Sequence, residues 1–241
     1  MNYLLSEIAH IVGGELHGSD LRVREVATDS RSIASNEDTL FAAINGKHHD
    51  GHNYVERMAK RGVKAFIVER IVELDKECSF VVVDSTIAAL QRLATHHRAQ
   101  FKGCVVGITG SNGKTIVKEW AARSMPSTVR SFASPKSYNS QLGVALSLLM
   151  LEGSEQVAFI EAGISESGEM ERLERMIRPD MVLMTSIGDA HQSNFESVEQ
   201  KVEQMELADA FSVSAGDAKE AKKRIGKIVK EIDKCISMLN D

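Results

Sequence analysis

The 241-residue chain has only three cysteines, Cys78, Cys104 and Cys235, too far apart and too few for a disulfide framework or a zinc cluster. Reduced thiols in a cytoplasmic protein are the expectation. The chain has no excess of basic charge: 29 lysines and arginines stand against 34 aspartates and glutamates, a formal net charge of -5. A nucleic-acid binder ordinarily carries a basic face, so nucleic acid is not an expected partner. No apolar run approaches the ~20 residues that span a bilayer, so no membrane span is expected. Residues 1–10 lack the charged start, apolar core and small-residue cleavage site of a secretory signal. Internal repeats and low-complexity tracts are also missing. What remains, 43% hydrophobic and 26% charged residues, is the composition of a soluble globular protein with room for one large domain or two ordinary ones.

Hydrophobic spacing divides the chain. Leu4, Leu5, Ile8, Ile11 and Val12 recur with helical period until Gly13 and Gly14 stop the pattern. Residues 21–27 alternate as a short strand, and residues 39–44 form a nearly continuous apolar run that reads as a buried strand before a turn at Asn45-Gly46. Helices are expected over 54–61 and 87–100, with strands over 65–68 and 80–83. This alternation predicts an α/β domain over 1–100. A second α/β unit begins near Phe101, with strands over 104–108, 157–161 and 181–186 and helices over 114–125, 142–151 and 170–177. Polar residues follow each of its strands, which would gather them along one edge of a parallel sheet, where open α/β folds bind ligands. The end of the chain differs. Seven basic residues between Lys219 and Lys234 interleave with Ile225, Ile228, Val229, Ile232, Ile236 and Leu239. A basic amphipathic helix is expected within 212–241, docked on its own domain, with a partner or a membrane surface as the alternatives.

The segment Gly110-Ser111-Asn112-Gly113-Lys114-Thr115 carries the most chemistry. Glycines let a strand-to-helix turn curl so that backbone N–H groups face phosphate oxygens, and the following helix adds its positive end. Lys114 would reach the outer phosphates, and the Thr115 hydroxyl would ligate Mg²⁺. Ile108 stands where the general phosphate-loop pattern has its first glycine; the glycines here fall at Gly107, Gly110 and Gly113. Glu161 at a strand end and His191 after the last strand are further candidates for the metal.

The run from Gly107 to Thr115 resembles the ATP loop of the Mur ligases, a family whose Gly-x-x-Gly-x-Asn-Gly-Lys-Thr form has this glycine spacing. Other segments resemble the same family in the same order. These are Thr28-Asp29-Ser30-Arg31, the run from Leu40 to Gly46, and Asp50-Gly51-His52. They continue with the run from Ser137 to Gly143 around Asn139, Glu161-Ala162-Gly163, Gly168-Glu169-Met170, and Ile187-Gly188-Asp189-Ala190-His191. The run from Gly113 to Trp120 and that from Ser134 to Ser140 look most like the branch that adds D-alanyl-D-alanine.

The resemblance spans roughly residues 1–211 and implies an α/β fold in three parts. A small N-terminal UDP-substrate domain (1–100) precedes a partial phosphate-loop parallel-sheet ATPase domain (101–211) and a C-terminal helix of unassigned origin (212–241). It implies ATP and Mg²⁺ as cofactors, UDP-N-acetylmuramoyl-peptide and D-Ala-D-Ala as substrates, and amide-bond formation in cell-wall precursor synthesis through an acyl phosphate. Lys114 and His191 would be catalytic. Gly110, Ser111, Asn112, Gly113, Lys114, Thr115 and Asn139 would hold the nucleotide, and Ser30, Arg31, Asn45 and Gly46 the UDP-linked substrate. Thr115, Glu161 and His191 would hold the metal. The chain departs from the family pattern at Ser193, Met205 and Ala145, where the family has glutamate, a metal-supporting lysine and proline. The family also implies roughly double this length, including a C-terminal domain that helps bind ATP and the amine. An impaired ligase is therefore expected, with a non-catalytic nucleotide-, UDP-sugar- or partner-binding module as the alternative.

Overall fold

The computed structural model describes residues 1–29, 31, 37–46, 49–74, 77–163 and 168–186. Ser30, His191, Ser193, Met205 and the tail helix expected within 212–241 lie outside the described residues. The chain is a mixed α/β protein in two compact units. One comprises Met1–Gln100 with Leu148–Glu152, the other Phe101–Ser147 with the described residues from Gly153 to Ser186.

In the first unit, β1 (Tyr3–Leu4) pairs antiparallel with β3 (Arg22–Val23), and the chain then enters α1 (Leu5–Val12). The helical pattern read from Tyr3 thus begins two residues late, because pairing with β3 takes the backbone of Tyr3 and Leu4 into a strand. Leu4 N–H donates to the Glu7 carboxylate at 2.6 Å, one half of a capping box. Gly13, at φ +69°, ends the helix in the left-handed conformation that side-chain-bearing residues avoid. The strand expected over 21–27 is two strands. Arg24 donates its N–H to the Asp38 carbonyl, after which β4 (Glu25–Ala27) joins a different sheet.

That sheet has five strands in the order β2-β7-β6-β5-β4. β5 (Thr39–Ala42) and β6 (Ala65–Val68) are buried at every residue, which their unbroken apolar sequences anticipate for inner parallel strands. β7 (Ser79–Val82) follows in parallel, and β2 (Glu15–His17) closes the edge antiparallel to it. Phe41, Phe66 and Phe80 form the centre of the core, with Phe66 and Phe80 stacked at 5.5 Å between ring centroids. Val55 and Met58 of α2 (Val55–Lys60) belong to the same cluster. The 15-residue α3 (Thr86–Gln100) buries Ala89, Leu90, Leu93 and Ala94.

The second unit is built on four parallel strands in the order β11-β8-β10-β9: β8 (Cys104–Thr109), β9 (Ser131–Ala133), β10 (Val157–Glu161) and β11 (Met181–Met184). Val106, Ile108 and Phe159 pack with Ala121 of α4 (Lys114–Arg123). α5 (Gln141–Leu149) and α6 (Glu169–Ile177) supply the other crossovers. Asp180, just before β11, ties that edge strand to β8: its carboxylate accepts from Val105 N–H and its own N–H donates to the Val105 carbonyl, both at 2.8 Å. In this register Glu161 lies beside Ile108 and Met184 beside Thr109. The polar residues that follow these strands therefore emerge at one sheet edge. No helix among the described residues is long and apolar enough to cross a membrane.

Candidate functional site

At that edge β8 passes into α4 through Gly110-Ser111-Asn112-Gly113. Gly110 (φ +134°) and Gly113 (φ +82°) adopt backbone conformations that side-chain-bearing residues rarely hold. A Cβ on Gly110 would also collide with the Thr185 hydroxyl. The turn is fixed from the β11 side. Ser111 N–H donates to the Ser186 carbonyl at 2.6 Å, and the Thr185 hydroxyl lies 2.5 Å from the Asn112 carbonyl and 3.2 Å from that of Thr109. Gly113 stands at the N-cap of α4 and no side chain caps the helix's first turn. This combination of a glycine-held turn and an open helix N-terminus suits an anion.

Lys114 curls back over the turn. Its ammonium donates to the carbonyls of Gly110 at 2.6 Å and Ser111 at 3.3 Å, and the side chain is half-buried where an open, solvent-facing lysine would be expected. The loop carbonyls account for this, since they offer the cation partners.

The next residue, Thr115, donates its hydroxyl to Glu161 Oε2 at 2.9 Å. Asn139 donates its side-chain N–H to Glu161 Oε1, also at 2.9 Å, and its backbone carbonyl accepts from Gly163 N–H at 2.8 Å. Glu161 is 1% exposed. Its backbone N–H is taken by the Ser134 hydroxyl. Three of the expected residues, Thr115, Asn139 and Glu161, are thus brought together beside the loop.

A fourth side chain, not anticipated from the sequence, completes the group. Lys118, one helical turn beyond Lys114, is fully buried; its ammonium lies 3.6 Å from Glu161 Oε2 and 3.5 Å from Glu119 Oε1 and donates to the Lys136 carbonyl. Its signal was helical phase: three residues before the buried Ala121, position 118 falls on the inward face of α4.

The donors fit a hard divalent cation bound together with phosphate. A hydroxyl and a carboxylate are both oxygen ligands, and Mg²⁺ typically takes one or two protein carboxylates and completes its shell with water and phosphate oxygens. No three His, Cys, Asp or Glu side chains among the described residues converge as a self-sufficient metal cluster. His191 lies outside the described residues. Behind the loop, the Thr109 hydroxyl is buried without a hydrogen-bond partner.

The described candidate substrate residues of the first unit, Arg31, Asn45 and Gly46, are exposed. Arg31 is held by Asp29 at 2.8 Å. Asn45 and Gly46 belong to a loop closed by an Asn45–Asp50 bridge and by Gly46 N–H donating to the His49 carbonyl. No hydrogen bond among the described residues joins Arg31 to that loop. The loop is stapled from behind. His52 Nε2 accepts from Glu69 N–H, which leaves the ring proton on Nδ1 to donate to Asp50 at 2.6 Å, while Arg70 pairs with the other Asp50 oxygen. Arg70, and after it the His52 backbone N–H, hold the Asp50 carboxyl well below the usual carboxylate range.

Comparison with known proteins follows the same division. Residues 22–99 match the Mur ligase family catalytic domain and residues 108–213 the Mur ligase middle domain. The UDP-N-acetylmuramoyl-tripeptide–D-alanyl-D-alanine ligase of Bacillus subtilis is 32% identical over 199 residues, 81% of this chain and 43% of that one. The Escherichia coli enzyme of the same name is 31% identical over 194 residues, 80% of this chain and 42% of that one. Among solved structures, MurF from Acinetobacter baumannii matches with a TM-score of 0.80 at 26% identity, covering 90% of this chain and 48% of that one. The Thermotoga maritima MurF ligase, solved in complex with ADP, matches with a TM-score of 0.67 at 29% identity, covering 76% of this chain and 42% of that one. The chain spans less than half the length of the curated relatives it matches.

Proposed function

The chain belongs to the Mur ligase family, and from that premise we propose that it carries the UDP-substrate-binding and ATP-binding parts of a ligase that adds D-alanyl-D-alanine to UDP-N-acetylmuramoyl-tripeptide. Residues 1–100 take the UDP-linked substrate, with Ser30, Arg31, Asn45 and Gly46 contacting it, and residues 101–211 take MgATP. The observation that carries this reading is the convergence of Thr115, Asn139 and Glu161 beside the Lys114 loop.

The reaction needs two transfers. A substrate carboxylate oxygen attacks the γ-phosphorus of ATP and expels ADP. The D-Ala-D-Ala amine then attacks the acyl carbon of the resulting acyl phosphate, loses a proton and expels inorganic phosphate. Phosphoryl transfer of this kind is accelerated chiefly by positioning and charge neutralisation. The loop amides from Ser111 to Lys114 orient the phosphates. The Lys114 ammonium turns from the Gly110 and Ser111 carbonyls to the outer phosphates and offsets their charge. Thr115 and Glu161 would hold Mg²⁺, with His191 as the further candidate ligand, while Asn139 fixes the Glu161 carboxylate. When bound, Mg²⁺ neutralises charge that develops on the transferred group.

The relatives extend over about twice this span, so ligation by these 241 residues alone is expected to be weak while binding persists. Calorimetry with MgATP and with UDP-N-acetylmuramoyl-tripeptide tests this, alongside phosphate release on adding D-Ala-D-Ala. Saturable binding of both ligands supports the reading. MgATP binding without the UDP-linked ligand would leave a nucleotide-binding module, and failure of both would refute it.

A further inference from the structure

Lys118 has no part in the scheme above, yet among the described residues it alone has both a fully buried ammonium and contact with Glu161. An unpaired buried charge is strongly disfavoured, so a lysine at such a position is held by specific partners. Here they are the Glu161 carboxylate, the half-exposed Glu119 carboxylate and the Lys136 carbonyl. The other groups on Glu161, Thr115 and Asn139, are neutral donors. Lys114 is occupied with the loop carbonyls.

Among the buried groups the charge on the candidate metal ligand is therefore already offset, the ammonium's other carboxylate neighbour, Glu119, being 42% exposed and screened by solvent. One buried carboxylate faces one buried ammonium, and no second acidic side chain joins it in a cation cluster among the described residues. A site that takes a bare divalent cation from water ordinarily presents uncompensated carboxylate charge. This one does not. Phosphates of a nucleotide held on the loop would supply the missing negative charge.

We propose that Lys118 is a positioning residue that makes cation binding at Glu161 depend on the nucleotide. It offsets the Glu161 charge, so a free divalent cation is refused and one that arrives with a triphosphate is accepted. It also fixes Glu161 against the segment that carries Asn139, through the Lys136 carbonyl. The proposal rests on the functional reading above, since it takes Glu161 as a metal ligand.

The test uses Mn²⁺, whose free concentration electron paramagnetic resonance reads directly, on the full chain with and without ATP. Wild-type protein should bind Mn²⁺ weakly alone and far more tightly with ATP. Lys118→Met should tighten binding of free Mn²⁺ roughly tenfold, a conservative share of the effect of a unit charge at ion-pair range, and narrow the gap made by ATP. Lys118→Arg, which keeps the charge, should stay near wild type. A merely structural lysine would give the opposite result, weaker Mn²⁺ binding in Lys118→Met, and that outcome overturns the proposal.

Should Lys118→Met fail to fold, the wild-type chain still decides. Tight Mn²⁺ binding without ATP, abolished by Glu161→Gln, would equally overturn it. Failure of wild-type protein to bind Mn²⁺ even with ATP would instead refute the assignment of Glu161 to the metal, and with it the reading on which the proposal stands.

Discussion

Replacing Glu161 with glutamine keeps the shape of the side chain but removes the charge that faces Lys118. At 3.6 Å the pair's attraction is roughly 4–5 kcal/mol with an effective dielectric near 20. Breaking a buried pair by removing one partner typically costs about 3–5 kcal/mol, because the other charge is left stranded. Glu119, 3.5 Å from the same ammonium but partly in solvent, recovers a share of this, so the expected loss is about 2–4 kcal/mol. The chain's only tryptophan, Trp120, sits on α4 in the same unit and reports its unfolding by fluorescence. With a urea slope of about 2 kcal/mol/M for a unit of this size, the midpoint should fall by roughly 1–2 M. The double variant Lys118→Met/Glu161→Gln strands no charge and should be more stable than Glu161→Gln alone. The reasoning fails if Glu161→Gln shifts the midpoint by less than about 0.3 M, or if the two substitutions are simply additive.

Three other perturbations probe neighbouring parts of the account. Gly110→Ala must place a Cβ at φ +134° against the Thr185 hydroxyl; it should cost about 2 kcal/mol or more by urea titration, and an unchanged midpoint would refute the strain argument. Thr109→Val removes a buried hydroxyl that has no partner and should be neutral or stabilising by about 1 kcal/mol; a clear loss of stability would show that the hydroxyl is satisfied. Asp50→Asn should destabilise the first unit at neutral pH. Because the folded-state carboxyl is held below its usual value, its contribution is present above the unfolded value near 4 and disappears as pH falls through the folded one. Thermal melts by circular dichroism should therefore show the gap to wild type narrowing between about pH 5 and the acid limit, and a gap constant with pH would contradict the Arg70–Asp50–His52 arrangement.

The strongly patterned parts of the fold were legible before the structure. β6 and β10 fall on the residues their apolar runs mark, and α3 begins one residue before the expected start. What was not legible depended on partners distant in sequence. β2 (Glu15–His17) and β9 (Ser131–Ala133) are three-residue edge strands without buried residues, so their hydrogen-bonded neighbours, β7 and β10, define them more than any period of their own. Tyr3 and Leu4 continue a helical pattern and become a strand only because β3 lies alongside. In the site, the glycine-lysine-threonine turn and the carboxylate ending β10 were readable from local chemistry and the expected parallel sheet. Asn139 is marked only by the family resemblance, since an asparagine in a loop carries no signal by itself. Lys118 carries no such signal, because a lysine on a helix is ordinarily solvated and its burial shows only once the inward phase of α4 is set by Ala121.

The central claim, that the turn from Gly110 to Thr115 is a working nucleotide site, is tested most directly by titrating MgATP into wild-type protein and Lys114→Ala in a calorimeter. The two ammonium hydrogen bonds made by Lys114 go to backbone carbonyls of its own loop, so the variant should keep its circular dichroism spectrum. Loss of a charge-assisted contact worth about 1.5–3 kcal/mol should weaken MgATP binding roughly tenfold to a hundredfold. Equal affinity in the two proteins, with both folded, would mean that the loop is only a turn in the sheet.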